Sequence, residues 1–376
     1  MMNEQQLIAF FEDLHQHPEL GLQEVRTTQK LKEILTAAGV ELLDTGLPTG
    51  AVAVIRGSRP GRVIGLRGDM DALPITEASG LRYASCEAGK MHACGHDFHT
   101  ACMLGTALIL QEKRDQLAGT VKVVFQPAEE IAKGGKLVAD TGLLNDAQEF
   151  YGIHSYPAFP AGTLGIKEGP VMAAPDRFSV TITGRGAHAA QPDKGIDPIP
   201  ALAAIIQALQ TIVSREVNPF ANVVITVAHV EAGNTYNVIP ETAFLEGTVR
   251  TLDEKVRLQV QQAMRRVIER TAEAYQCTAA LDYQVGPDAV VNDAALCAEA
   301  SALAREMGFQ VARQEDTMGG EDFSEFLKIC PGVFLRIGTG GDYPGHHPRF
   351  TVDPAALWPA AQYCAALAMR RAEAEK

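Results

Sequence analysis

Met91-His92-Ala93-Cys94-Gly95-His96-Asp97-Phe98-His99-Thr100-Ala101-Cys102 is the stretch on which the reading of this chain turns. Its second half opens a helix predicted over 97–114, with Met103, Leu104, Ala107, Leu108 and Leu110 on a broad apolar face. Val63-Ile64-Gly65-Leu66 before it and Val121-Lys122-Val123-Val124-Phe125 after it read as buried strands. Strand, loop, helix and strand in that order are the unit of an α/β sheet. The loop carries imidazole, thiol and carboxylate groups, the side chains that bind borderline transition metals. Three of the chain's ten histidines and two of its seven cysteines lie within it.

Working outward, the same chemistry recurs where strands end. The strand at 63–66 runs into Arg67-Gly68-Asp69-Met70-Asp71-Ala72-Leu73-Pro74. The strand at 121–125 runs into Gln126-Pro127-Ala128-Glu129-Glu130, and Phe150-Tyr151-Gly152-Ile153-His154 ends on a histidine. A strand at 333–337 leads into the Gly-rich loop 338–348, which holds His346 and His347. In an open α/β sheet the C-terminal ends of the strands share one crevice. This recurrence argues for a site more strongly than any single motif.

Individual residues leave alternatives open. Cys94 and His96 are two apart, so in an extended loop they face the same side; a buried thiol beside a helix-capping histidine would look the same. Of the adjacent Glu129 and Glu130, one could bind metal while the other moves protons, against a solvated acidic turn. Asp71 suits an acceptor that orients a ligand histidine, or a cap on the turn before Pro74. His154 and His346 gain weight only from their positions, and spacing does not choose between His346 and His347. Cys102 reads as core, and His15, His17 and His229 as structural. The 338–348 loop lacks the third glycine of a dinucleotide fingerprint, and Gly134-Gly135-Lys136-Leu137 lacks the hydroxyl of a phosphate loop.

From about Pro175 the rhythm changes to β-α-β-β-α-β, the split ferredoxin-like unit. Residues 174–287 are therefore expected to be inserted into a discontinuous α/β domain made of 1–173 and 288–376. The insert carries His188, Asn237 and Arg250, donors suited to an oxyanion and a carboxylate, or equally to turn caps and surface ion pairs. A net charge of −13 argues against nucleic acid or an anionic membrane as partner. The N-terminus at 1–6 lacks a signal-peptide layout, no apolar run is long enough to span a bilayer, and the odd, scattered cysteines suit reduced thiols. A cytoplasmic protein is expected.

The runs at 67–74, 91–99, 125–130 and 152–154 resemble those of the metal-dependent amidohydrolases of the aminoacylase/carboxypeptidase clan. The likeness is nearest to the branch of N-acyl-amino-acid amidohydrolases, hippurate hydrolase, N-acetyldiaminopimelate deacetylase and auxin-conjugate hydrolases. It implies a zinc-peptidase-like α/β catalytic domain with a mixed sheet and an inserted ferredoxin-like lid that dimerises. It further implies two divalent ions per subunit, Zn or Mn with Ni or Co as options, held by Cys94, His96, Glu130, His154 and His346. His346 is preferred there because His346-His347-Pro348-Arg349-Phe350 fits the pattern His-x-Pro-x-Phe. Glu129 becomes the general base and acid, with Asp71 behind the metals. His188, reaching the neighbouring subunit of a homodimer, would contact substrate together with Asn237 and Arg250. Asp69 stands where the wider clan has a ligand histidine, and Cys94 where it has a bridging aspartate; both fit the thiolate branch. Gly320-Glu321-Asp322-Phe323 matches a cleft segment of no assigned role. The implied activity is hydrolysis of the amide in N-acyl amino acids. The rivals are a dipeptidase or aminopeptidase, and a non-catalytic metal-binding protein.

Overall fold

Strand Arg59–Asp69 is the axis of the larger of two units in the computed structural model, which describes residues 2–373. Met1 and residues 374–376, included in the expected domain bounds and, for Met1, in the N-terminal reading, lie outside the described residues. Arg59–Asp69 lies between Ala118–Gln126 and Glu149–Tyr156 and is parallel to both. Gly332–Gly338 continues the parallel set beside Glu149–Tyr156. The antiparallel strands Ala51–Arg56 and Glu41–Leu43 extend one side of the sheet. On the other side Thr163–Gly165 runs antiparallel to Gly332–Gly338 and pairs in parallel with Gln310–Ala312. The result is an eight-stranded mixed sheet. Its four central strands read as near-continuous buried runs because parallel sheets are covered on both faces.

The chain leaves Arg59–Asp69, forms helix His96–Glu112, and returns as Ala118–Gln126 on one side; the next long strand, Glu149–Tyr156, pairs on the other side. That reversal creates a crevice at the C-terminal strand ends. Helix His96–Glu112 is the centre of the core: Phe98, Cys102, Met103, Leu104, Ala107 and Leu110 are fully buried. Truncating such a side chain, for example Leu104→Ala, costs about 2–5 kcal/mol. Leu108, assigned to the same face from periodicity, is only partly buried.

At the N-terminal end of the central strand Glu149–Tyr156, Glu149 is buried and accepts from Arg371 Nε (2.8 Å), Arg371 Nη2 (2.6 Å), Tyr151 Oη (2.7 Å) and Arg62. Burial raises its pKa, but Arg371, Tyr151 and Arg62 outweigh that and hold it below the usual glutamate value. A depressed carboxylate stabilises the fold above its unfolded pKa, and that contribution is lost as pH falls through the folded value. Melting temperature should therefore drop on acidification below about pH 4.5, and Glu149→Gln should flatten that part of the profile.

The second unit comprises Met172–Val290 and Asp316–Glu321. Strand Ala174–Thr183 alternates buried and exposed residues and pairs antiparallel with both Thr242–Thr251 and Thr278–Gln284. Val223–Ala232 forms the edge beyond Thr242–Thr251. Helices Pro198–Thr211 and Glu254–Ala274 cover one face through Ile205, Leu209, Val260, Met264 and Ile268. This is the ferredoxin-like order. The expected assignment of all of 288–376 to the α/β domain needs correcting for Asp316–Glu321. Ala173 N–H donates to Gly319 O at 2.9 Å, and Met172 bridges Thr317, which draws that segment into the second unit. Backbone pairing across nearly 150 residues leaves no local trace.

Arg257, on the long helix of this unit, is 3% exposed and faces Asp176, 1% exposed, through Nε at 2.9 Å and Nη2 at 2.5 Å. It also donates to Gly286 O (2.7 Å), while Gly286 N–H and Tyr283 Oη donate to Asp176. The pair ties the first strand, the helix and the exit segment together. Removing one member of a buried pair strands the other charge, so Arg257→Ala should destabilise this unit by about 3–5 kcal/mol in urea unfolding. No helix among the described residues is long and apolar enough to cross a membrane.

Candidate metal centre

Gly95 lets the opening loop turn. Its φ of +82° lies in the left-handed region, and a Cβ there would fall 2.3 Å from Ser155 Oγ. The turn places Cys94 before the helix and His96 as its first residue. Cys94 Sγ lies 3.5 Å from Nε2 of His154, which sits near the C-terminal end of strand Glu149–Tyr156. His346 is delivered by the Gly-rich loop in a left-handed conformation (φ +65°) and is tied down by its N–H to Ala93 O at 2.8 Å. Its Nε2 lies 3.4 Å from Glu130 Oε1, and His96 Nε2 lies 3.8 Å from the same oxygen.

Those separations fit metal chelation. Tetrahedral ligands at about 2.0–2.3 Å from an ion stand about 3.3–3.8 Å from one another. Two ligand groups share one thiol: Cys94, His96 and His154, and Cys94, Glu130 and His346, each set with its donor atoms within 4.8 Å. His96 Nε2 and Glu130 Oε1 are buried and make no hydrogen bond. Two buried acceptors facing each other are costly unless a proton or a metal cation lies between them. The donor set of one thiolate, imidazoles and a carboxylate suits zinc and tolerates manganese or nickel.

The ring tautomers agree with this. His154 Nδ1–H donates to Ser155 O at 2.7 Å, leaving Nε2 as a lone pair towards Cys94. Burial, with the Arg336 charge adding to it, holds His154 well below the usual imidazole pKa, so it is neutral. His96 Nδ1 faces Asp71 Oδ1 at 3.3 Å, again freeing Nε2. Burial lowers its pKa, but Asp69, Asp71 and Cys94 together raise it well above the usual value. His346 is raised to about 10 by its hydrogen bonds to Cys94 and Glu130. His347 turns away: its ring stacks on Tyr343 at 4.4 Å and Nδ1 accepts from Arg349 N–H.

Asp71 does more than orient His96. Its Oδ1 accepts the Glu129 amide and its Oδ2 the Glu130 amide, both at 3.0 Å. Glu129 is partly buried, with a carboxylate oxygen within 4.8 Å of donor atoms of His96 and Glu130. It is a carboxylate beside the ligand groups, where a general base belongs.

A scaffold that local sequence did not reveal lies beneath. Arg67 is fully buried and donates to Asp69 (2.7 Å), Asp322 (3.0 Å) and Gln126 (2.8 Å). Asp69 accepts from His99 Nδ1–H at 2.5 Å, and His99 Nε2 accepts from Ser155 N–H at 2.6 Å. Asp69, His96 and His99 also form a compact group. The Arg67 charge and these satisfied bonds make Asp69 and His99 a brace for the strand end carrying His154. Asp322 accepts Gly135 N–H at 2.7 Å, which explains the Gly-Gly pair as a packing feature. His15 is also part of this scaffold. It bonds Asp97 Oδ2 at 2.6 Å and Glu77 at 3.2 Å; burial would lower its pKa, but those acids hold it at about 10. His92 is buried with neither ring nitrogen bonded, and burial pushes it down to about 4.

The remaining residues singled out from the sequence lie in the second unit. His188 and Asn237 are brought together there, with His188 registered against Val238 and Ala189 N–H donating to Asn237 O at 3.0 Å. His188 Nδ1 accepts from Ala190 N–H, which leaves its exposed Nε2 outward. Arg250 is partly buried, makes no salt bridge among the described residues, and has its pKa lowered by burial.

Two ligand groups that meet at one thiol, with a carboxylate beside them, define a hydrolase of the two-metal class. The pattern of peptidase family M20/M25/M40 matches residues 65–370, and the chain belongs to that family. It is 46% identical over 364 residues to the N-acetylcysteine deacetylase of Bacillus subtilis (strain 168), covering 96% of each chain. It is 36% identical over 361 residues to thermostable carboxypeptidase 1 of Saccharolobus solfataricus, covering 93% of this chain and 91% of that one. Among solved structures it is similar to the YXEP protein of Bacillus subtilis, a dinuclear metal-binding peptidase of the M20 family, with a TM-score of 0.89, 43% identity and 98% coverage of both chains.

Proposed function

We propose that this protein is a metal-dependent amidohydrolase that cleaves N-acyl amino acids into a carboxylate and a free amino acid. The observation that carries the reading is the pair of ligand groups sharing Cys94, with Glu129 beside them and bound to no role within either group. Cys94, His96, Glu130, His154 and His346 would hold two divalent ions. Such ions supply Lewis acidity, lowering the pKa of a water from ~15.7 towards ~7 and polarising an amide carbonyl. Glu129 takes the proton from the attacking water and returns it to the leaving amine nitrogen. Asp71 keeps the two acids in different roles by holding both amides. His188 and Asn237 donate to the developing oxyanion, and Arg250 holds the substrate's α-carboxylate.

The two curated relatives fit one substrate rule. A carboxypeptidase substrate and an N-acyl amino acid both present an amide whose nitrogen belongs to a residue with a free carboxylate. Arg250, partly buried and without a salt bridge among the described residues, supports that rule. A free substrate amine, required by an aminopeptidase, has no such counterpart in the residues named. The test is a panel of N-acetyl, N-benzoyl and longer N-acyl amino acids, their α-amides, and dipeptides with free amines, assayed with Zn, Mn, Co and Ni. The N-acyl acids should be turned over and their α-amides should not. Cleavage confined to free-amine dipeptides would refute the reading.

The second unit acts in this proposal as a lid and dimerisation domain, in a homodimer of the cytoplasm. Edge strand Val223–Ala232, with Val224 and Val230 exposed, supports pairing with a second copy. Inactive His188→Ala and inactive Glu129→Gln proteins should regain activity when mixed, because one hybrid site is intact. Proven subunit exchange without recovery would exclude action of His188 across the dimer.

A further inference from the structure

We propose that Glu24 is a positioning residue for the Glu129–Glu130 pair, an inference that rests on the deacylase reading for its kinetic consequence. Three consecutive amides after Pro127 end on carboxylates: Ala128 N–H on Glu24 Oε1 at 2.8 Å, and those of Glu129 and Glu130 on Asp71 at 3.0 Å. Ala128 is held at φ +55°, a left-handed conformation that a residue with a Cβ disfavours by about five- to thirtyfold in population. The turn makes adjacent glutamates diverge, one towards the ligand group and one beside it. The turn is held from both sides: Glu24 takes the Ala128 amide, and the Ala128 carbonyl accepts from Lys133 N–H at 3.2 Å and Gly134 N–H at 3.1 Å.

Three further observations separate this from ordinary packing. Glu24 immediately precedes helix Val25–Ala37 yet makes no capping bond to it; its side chain is directed instead to a loop 104 residues away. It is fully buried, and burial raises its pKa with the Asp71 charge adding to that, so its placement is costly. The segment leading to it is fitted to the same loop. A Cβ at Gly21 would meet Ala128 Cα at 3.2 Å and Asp71 Oδ2 at 3.3 Å, and Glu19 O accepts the Ala72 amide at 2.8 Å. Residues 19–24 thus brace both the Asp71 turn and the Ala128 turn. Neither the ligand groups nor the proton-transfer step includes Glu24 itself.

The test compares Glu24→Gln, which keeps an acceptor oxygen, with Glu24→Met, which keeps the shape without one, and adds Ala128→Gly to the Met variant. Turnover, metal affinity and amide hydrogen exchange of residues 127–130 are read for each. Glu24→Gln should stay within about threefold of wild type. Glu24→Met should lose about 10–100-fold in kcat at similar KM, bind metal more weakly, and exchange faster at 127–130 alone. Ala128→Gly should restore about fivefold or more of that kcat, because glycine adopts the left-handed turn without penalty. Wild-type kcat in Glu24→Met would overturn the proposal. So would faster exchange along the whole chain, or unfolding, with no recovery from Ala128→Gly. If the wild-type protein hydrolyses no N-acyl amino acid, the deacylase reading fails, while exchange and metal affinity still decide the role of Glu24.

Discussion

Glu129→Gln should lower kcat by about 10³–10⁴-fold, the upper part of the range for loss of a general acid–base. The amide matches the carboxylate in shape and cannot accept the water's proton. The backbone amides of residues 129 and 130 would stay on Asp71, since those bonds do not involve the Glu129 side chain. Metal content and melting temperature should therefore remain those of wild type, and KM should change by no more than about twofold, as expected for an interaction made only in the transition state. Near wild-type turnover in a metal-loaded Glu129→Gln protein would remove Glu129 from the mechanism. A parallel loss of metal would make it a ligand instead.

Cys94→Ala should be the most damaging change at the ligands, because Cys94 alone belongs to both the His154 and the His346 groups. One substitution thins two coordination sets. Metal analysis should fall from two ions per chain to one or fewer, and kcat should fall by more than the about 10–100-fold typical of losing a group behind the ligands. In cobalt-substituted protein the sulfur-to-metal charge-transfer band should disappear. The fold should survive, since Cys94 is only partly buried and the core beneath it is formed by Phe98, Met103 and Leu104. Retention of both ions would show that the thiol is not shared.

The sequence made the elements and the crevice legible because both are local. Alternation in Phe178–Thr183 and the buried runs at 63–66 and 121–125 follow from which faces are covered. Of the proposed ligands, Cys94, Glu130 and His346 lie in loops, His96 opens a helix and His154 lies near the C-terminal end of its strand, positions that topology gathers without help from side chains. What stayed hidden is what the sheet brings together from afar. Arg67 and Asp322 are 255 residues apart, and Glu24 and Ala128 are 104 apart. An arginine, an aspartate and a glutamate at such distances look like surface charges until the fold buries them. His99 looked like one of a crowd of ligands, yet both its nitrogens are engaged by Asp69 and Ser155. Strands Thr163–Gly165 and Gln310–Ala312 are three residues each, too short for periodicity to register. Spacing alone leaves His346 and His347 open; the pattern His-x-Pro-x-Phe selects His346, and the stacking of His347 on Tyr343 gives the second histidine a different place.

Anomalous scattering from crystals of the metal-loaded protein tests the central claim most directly. Two peaks should appear, each about 2.3 Å from Cys94 Sγ if the metal is zinc, one flanked by His96 and His154 and the other by Glu130 and His346. A single peak closed by four protein ligands, or two peaks that do not share Cys94, would contradict the account.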